Sequence, residues 1–141
     1  MPDLLNTASL TAELASATAM GTGLQDLASI SFNTVYPNAL YIATWTMDFT
    51  LITAASGTPS TAVGQIQIDG VDLGQPQAVW CAGNVAANAR VTVTQTYQGL
   101  LPVAGAHAFK LRGAQSSAPS STVGAYRANA VHTRLSLIVF P

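Results

Sequence analysis

Two histidines, one cysteine and six carboxylates are the side chains of this sequence best suited to acid–base or metal chemistry. His107 and His132 form no H-x-H pair and Cys81 has no second cysteine, whereas a typical metal site needs three or four ligands. Each histidine borders a strand-like stretch, so structural roles are expected for both. Cys81, in AVWCAG beside Trp80, reads as a buried thiol, and a lone cysteine excludes an intrachain disulfide. No G-x-S-x-G turn supports a Ser-His-Asp triad. Asp69 and Asp72 are the one close pair of acids, and a turn and its flank account for them. Gly21-x-Gly23 follows no strand and lacks the third glycine of a phosphate loop. The reading is of a protein that is not an enzyme and holds no cofactor or metal. Aromatic residues are the better lead. Tyr97, Tyr126 and Trp80 fall near loop-like segments, where they could stack on sugars or pack against another chain. Taken singly, Trp80 and Tyr97 fit a core position better.

The elements that would carry these residues are strands. Leu40 to Ile52 (LYIATWTMDFTLI) places Tyr41, Ala43, Trp45, Met47, Phe49 and Leu51 on one face and Thr44, Thr46, Asp48 and Thr50 on the other. Such alternation over a dozen residues predicts a long strand with one face in a core. Ala28, Ile30 and Phe32 alternate likewise before a turn at Tyr36-Pro37-Asn38. In QIQIDGVDLG, Asp69-Gly70 predicts a two-residue hairpin turn that pairs Ile68 with Val71 and Ile66 with Leu73. Further strands are expected over Ala78–Cys81, Arg90–Tyr97, around Phe109 and Leu111, and over Thr133–Phe140. Three segments read as loops: AASGTPSTAVG at 54–64, Gly83–Ala89, and the low-complexity run GAQSSAPSSTVGAY at 113–126. Short strands at regular intervals with no convincing helix in the body predict an all-β antiparallel sandwich.

Residues 1–23 differ in composition. Leu10, Leu14, Ala17 and Met20 stand at helical spacing before Gly21 and Gly23, so a short helix or an extended arm is expected, attached to a β domain at 24–141. Its apolar residues Leu4, Leu5, Leu10 and Leu14, with Tyr97 and Tyr126, are the candidate partner-contact residues.

Only 8% of residues are charged, against about 25% in an ordinary globular protein. Ser and Thr outnumber the charged side chains more than twofold. A surface this poor in Lys and Glu guards its strand edges weakly, which implies that partner chains cover much of it. All six acids lie between Asp3 and Asp72 and all five basic residues between Arg90 and Arg134. The basic residues never form a run, so cross-strand ion pairs are expected rather than nucleic-acid binding. The N-terminus lacks the basic and apolar regions of a signal peptide, and the run LIVF is too short to span a membrane, so a soluble protein is expected.

The run from Leu100 to Arg112, with its G-x-H-x-(apolar)-K-L core, resembles a hairpin of small β-sandwich proteins in tailed-phage virions. The end of the chain, Thr133 to Val139, looks like their closing strand, and the D-G hairpin and the Trp-containing strand are similar in order and spacing. The resemblance covers residues 24–141 and implies a jelly roll of the tumour-necrosis-factor type that forms homotrimers on the virion, made in the host cytoplasm. It implies capsid decoration proteins, head fibres, or tail and baseplate appendages. The expected function is a trimeric capsid decoration protein, bound to the major capsid protein or another virion protein through the N-terminal segment. The alternative is a receptor- or carbohydrate-binding module at a tail tip, with a host-surface glycan as partner.

Overall fold

The computed structural model describes residues 3–141; Met1 and Pro2 of the expected N-terminal segment lie outside them. The described residues form twelve strands in two sheets, an all-β sandwich as the alternation predicts. Sheet A contains β1 (Asp3–Leu4), β4 (Gln25–Thr34), β6 (Ala55–Ile68), β7 (Val71–Asp72), β8 (Ala78–Val85) and β10 (Gly105–Gln115). Sheet B contains β2 (Ala8–Glu13), β3 (Thr18–Ala19), β5 (Ala39–Thr53), β9 (Arg90–Leu101), β11 (Ala125–Ala128) and β12 (Arg134–Phe140). All pairings are antiparallel except that of β1 with β4.

β5 is the organising strand. Tyr41, Ala43, Trp45, Met47, Phe49 and Leu51 are all buried, and β12 pairs with it from Leu40 to Thr46. β9 takes its other side from Ala39 to Thr50. Facing it across the sandwich, β6 offers small residues. A Cβ on Gly64 would lie 2.1 Å from Met47 Cγ, so only glycine leaves room there, and Trp45 Nε1 donates to Gly64 O at 3.1 Å. The Asp69-Gly70 turn also holds: both residues have positive φ, and Ile68 pairs with Val71.

Several expectations need correction. Residues 54–64 are strand almost throughout, not loop, because Ala62 and Gly64 are small enough to underlie Met47 and Trp45. Pro59 is tolerated because it lies where the register with β8 breaks between Ser56 and Ser60, so no ladder bond is asked of it. β8 runs on to Val85, past the expected Cys81. Gly113–Gln115 belong to β10 and Ala125-Tyr126 to β11, which leaves a shorter loop. That loop is tied down by Ser116 N to Thr61 O (2.8 Å) and Ser56 N to Thr122 O (3.1 Å). Cys81 is exposed, not buried. Trp80 turns toward Tyr126, so its neighbour in a strand must face the other way.

The N-terminal segment is extended in its described part, not helical. Leu10 and Leu14 stand four apart, and a strand's period of two satisfies that spacing as well as a helix does. Ala8, Leu10 and Ala12 turn inward while Ser9, Thr11 and Glu13 face out. β2 pairs along β12 and β3 along β11. Leu4, Leu14 and Met20 are buried in the same core as Trp45. The segment supplies edge strands to the sandwich.

Candidate functional site

An ion-pair network lies on the outer face of sheet A, and an uncharged apolar patch lies at one end of the outer face of sheet B. On the outer face of sheet A, Asp26 binds Lys110 Nζ at 2.7 Å and Arg112 Nε at 2.9 Å, and Arg112 Nη1 reaches Asp72 at 2.9 Å. These are the expected ion pairs between the acidic and basic halves of the chain. Asp48 also meets a basic residue, Arg90. Arg90 donates from Nε at 2.8 Å and from Nη2 at 2.5 Å to the two carboxylate oxygens. Arg134 stands opposite Thr46 and Glu13 in the ladder. Asn129 Nδ2 adds a hydrogen bond to Asp48 at 2.9 Å.

These contacts set the acid stability. The Lys110 ammonium, helped by Arg112 and opposed by slight desolvation, holds the Asp26 carboxyl below its ordinary 3.8. Burial pushes Asp48 up, but the hydrogen bonds from Arg90 and Asn129 outweigh it and hold that carboxyl low too. The ionised forms therefore stabilise the fold above the unfolded-state value, and the stabilisation is lost as pH falls through the lower folded-state values. Urea midpoints should stay level from neutral pH to about 4 and drop below it. A decline already under way at pH 6 would contradict this assignment.

The two histidines keep structural positions. His107 is buried between Phe32 and the hairpin turn, with Nδ1 2.7 Å from Asp69 Oδ2 and Nε2 2.9 Å from Val103 O. Asp69 Oδ1 accepts from Ala108 N at 2.8 Å, so one carboxylate ties the β6–β7 turn to β10. His132 lies in the turn before β12. Among the described residues no three His, Cys, Asp or Glu side chains converge to hold a metal.

The outer face of sheet B is different. Its ladder sets Phe140 beside Leu40 and Leu40 beside Leu100, and in the next row Ile138 beside Ile42 and Ile42 beside Gln98. A belt of hydroxyls follows, with Thr44–Thr96 and Thr46–Thr94 side-chain hydrogen bonds of 3.1 and 3.0 Å. The first ionisable pair on this face, Glu13 opposite Arg134, comes only at the far end of the belt. Leu100 is 60% exposed, and Leu40, Ile138 and Phe140 are exposed as well. The adjoining end of the sandwich continues the apolar surface. Leu4 pairs with Thr34 and Ala39 with Leu101, and this brings together the exposed Leu5, Val35, Tyr36 and Val103. β9 forms the flank of this face, and it carries no charged residue after Arg90.

Of the candidate contact residues, the structure leaves two exposed. Leu5 stands free at 62% exposure, and Tyr97 is 37% exposed with its ring 6.3 Å from that of Tyr41. Leu4 and Leu14 are buried, and Leu10 packs on the core from β2. Tyr126 is a correction: at 1% exposure it is a core pillar rather than a surface platform. Its hydroxyl donates to Ser60 O and accepts from Ala82 N at 3.0 Å, and its ring meets Trp80 edge-on. The residues that sequence reasoning missed, Leu40, Leu100, Ile138 and Phe140, sit at the outward positions of strands whose inward positions were read correctly. Apolar side chains on both faces of β12 were the available signal.

No family model and no curated protein matches this sequence. Among solved structures, murine APRIL shares 12% identity at a TM-score of 0.49, over 96% of this chain and 99% of its own. Eiger TNF from S. frugiperda shares 8% at 0.47, over 94% and 93%. A structure of infectious bursal disease virus, Gx strain, shares 10% at 0.48 over 95% of this chain, which spans 36% of the viral chain. The chain spans only 12% of dimeric latent PorU from Porphyromonas gingivalis, at 6% identity and a TM-score of 0.46. Likenesses this distant carry nothing about partners or activity.

Proposed function

We propose that this protein is a structural component of a tailed-phage virion, a homotrimer that binds the assembled shell and stabilises it against internal pressure. The observation that carries the proposal is the outer face of sheet B. Contiguous exposed apolar patches often mark sites of protein–protein contact. Here Leu40, Leu100, Ile138 and Phe140 lie in adjacent rows without a charge among them. A second copy fits such a face, since neither partner would have to bury an unpaired charge. Trimeric order follows the resemblance of Leu100–Arg112 to phage virion sandwiches. The shell contact falls to the neighbouring apolar end, through Leu5, Val35, Tyr36 and Val103. It does not fall to a detachable arm, since residues 3–23 are built into the sheets.

Binding to purified shells tests this reading. The protein should cosediment with shells lacking it and appear at regular shell positions by electron microscopy. Tyr36→Asp with Val103→Asp should abolish cosedimentation while leaving the trimer. Localisation to the tail tip, or binding undisturbed by the two aspartates, would overturn it.

A further inference from the structure

On the outer face of sheet A, away from the proposed self-contact, lies a groove of about 330 Å3. Its floor is Val63 and Ala114, which pair across β6 and β10, and Leu24 forms one wall. Gln65 and Gln77 project polar groups into it. Gln77 Nε2 donates to Gln65 Oε1 at 2.8 Å. That bond leaves the Gln65 amide nitrogen without a protein acceptor, although the residue is only 5% exposed, and leaves the Gln77 amide oxygen free. That nitrogen is reachable from the groove, where a ligand oxygen can accept from it. Ser116 completes the polar rim, its Oγ accepting from Thr61 N at 3.0 Å.

We infer that this groove is a binding site for a neutral sugar residue. The lining has no ionisable side chain, so it offers an anion no cation and a cation no carboxylate. Arg112, the nearest guanidinium on this face, is already bound to Asp26, Asp72 and the Leu24 carbonyl. A wholly apolar ligand would leave the Gln65 amide unpaired, which costs binding free energy. A peptide backbone could not add as a strand, because β6 is paired with β10 on one side and with β8 on the other. A sugar ring meets all three conditions. Its hydroxyls accept from Gln65 Nε2 and donate to Gln77 Oε1, and its C–H face covers Val63 and Ala114. The volume lies at the lower end of the range for small-ligand sites, about 300–1,000 Å3, which suits a short saccharide and not a long chain.

The test is a titration of the full-length protein with neutral mono- and disaccharides, followed through the Gln side-chain amide signals by NMR. Glycerol and a sialylated sugar serve as controls. Saturable shifts of the Gln65 and Gln77 amides with at least one neutral sugar are expected, about tenfold weaker in Gln77→Ala and lost in Gln65→Leu. The idea fails if no neutral sugar moves these signals, if glycerol moves them equally, or if Gln77→Ala binds as well as the wild type. Because Gln77 is half-exposed, its variant keeps the test decisive even if Gln65→Leu does not fold. A negative result leaves trimer formation and shell binding untouched, since those rest on the outer face of sheet B and on the apolar end of the sandwich.

Discussion

Tyr126→Ala is expected to destabilise the fold by about 3–5 kcal/mol, and Tyr126→Phe by about 1–3 kcal/mol. The phenylalanine variant keeps the ring against Trp80 but removes the hydroxyl that donates to Ser60 O and accepts from Ala82 N. Ala82 is 1% exposed, so its N–H would have no water to turn to. An unsatisfied buried donor costs its full desolvation free energy, which exceeds the net worth of an ordinary hydrogen bond. The alanine variant adds a cavity between the sheets, because Ser60 and Ala82 lie on β6 and β8 in sheet A while Tyr126 belongs to sheet B. Chemical denaturation of both variants provides the measurement. If Tyr126→Phe matched the wild type, the hydroxyl would not be bridging the sheets. Sugar binding cannot be tested through this residue, since loss of Tyr126 weakens the whole sandwich.

Tyr126 also shows where alternation stops being readable. It follows a run of Ser, Gly and Ala with no pattern, and its inward direction is set by a register shift between Ala125 and Tyr126 against β5. A register shift depends on the partner strand, so it leaves no local trace in composition. The strands that were legible, Leu40–Ile52, the Asp69-Gly70 hairpin and Thr133–Phe140, combine a strict period of two with large or β-branched side chains. β6 was not legible before Gly64, because its inward residues are small to make room for Trp45 and Met47. Asp48 illustrates a further limit. It alternates as a polar-face residue, yet it is 2% exposed, covered by Arg90 and by Asn129, which also bonds Thr50. Those partners come from residues more than forty positions away, and only the folded topology brings them to it.

If the chain forms the proposed homotrimer, replacing both Leu100 and Phe140 with aspartate is expected to convert it to a folded monomer. The two side chains lie on either side of Leu40 in one row of sheet B, and neither contributes to the buried core. Burying a leucine or phenylalanine side chain contributes about 1.5–3 kcal/mol, and an aspartate at the same place would have to be desolvated without a cation nearby. Loss of even one such contribution weakens association about tenfold or more per interface. Three interfaces fail together in a closed trimer, so the species at micromolar concentration should be the single chain. Sedimentation equilibrium should return one third of the wild-type mass, with the circular dichroism spectrum unchanged. Ser31→Asp, on the exposed face of sheet A, is the control and should leave the trimer intact. Salt provides a second check. An interface held by Leu40, Leu100, Ile138 and Phe140 has no ion pairs to screen, so raising ionic strength should not dissociate the wild type. A wild-type monomer, a trimer that survives both aspartates, or one that salt dissolves would each show that the copies meet elsewhere.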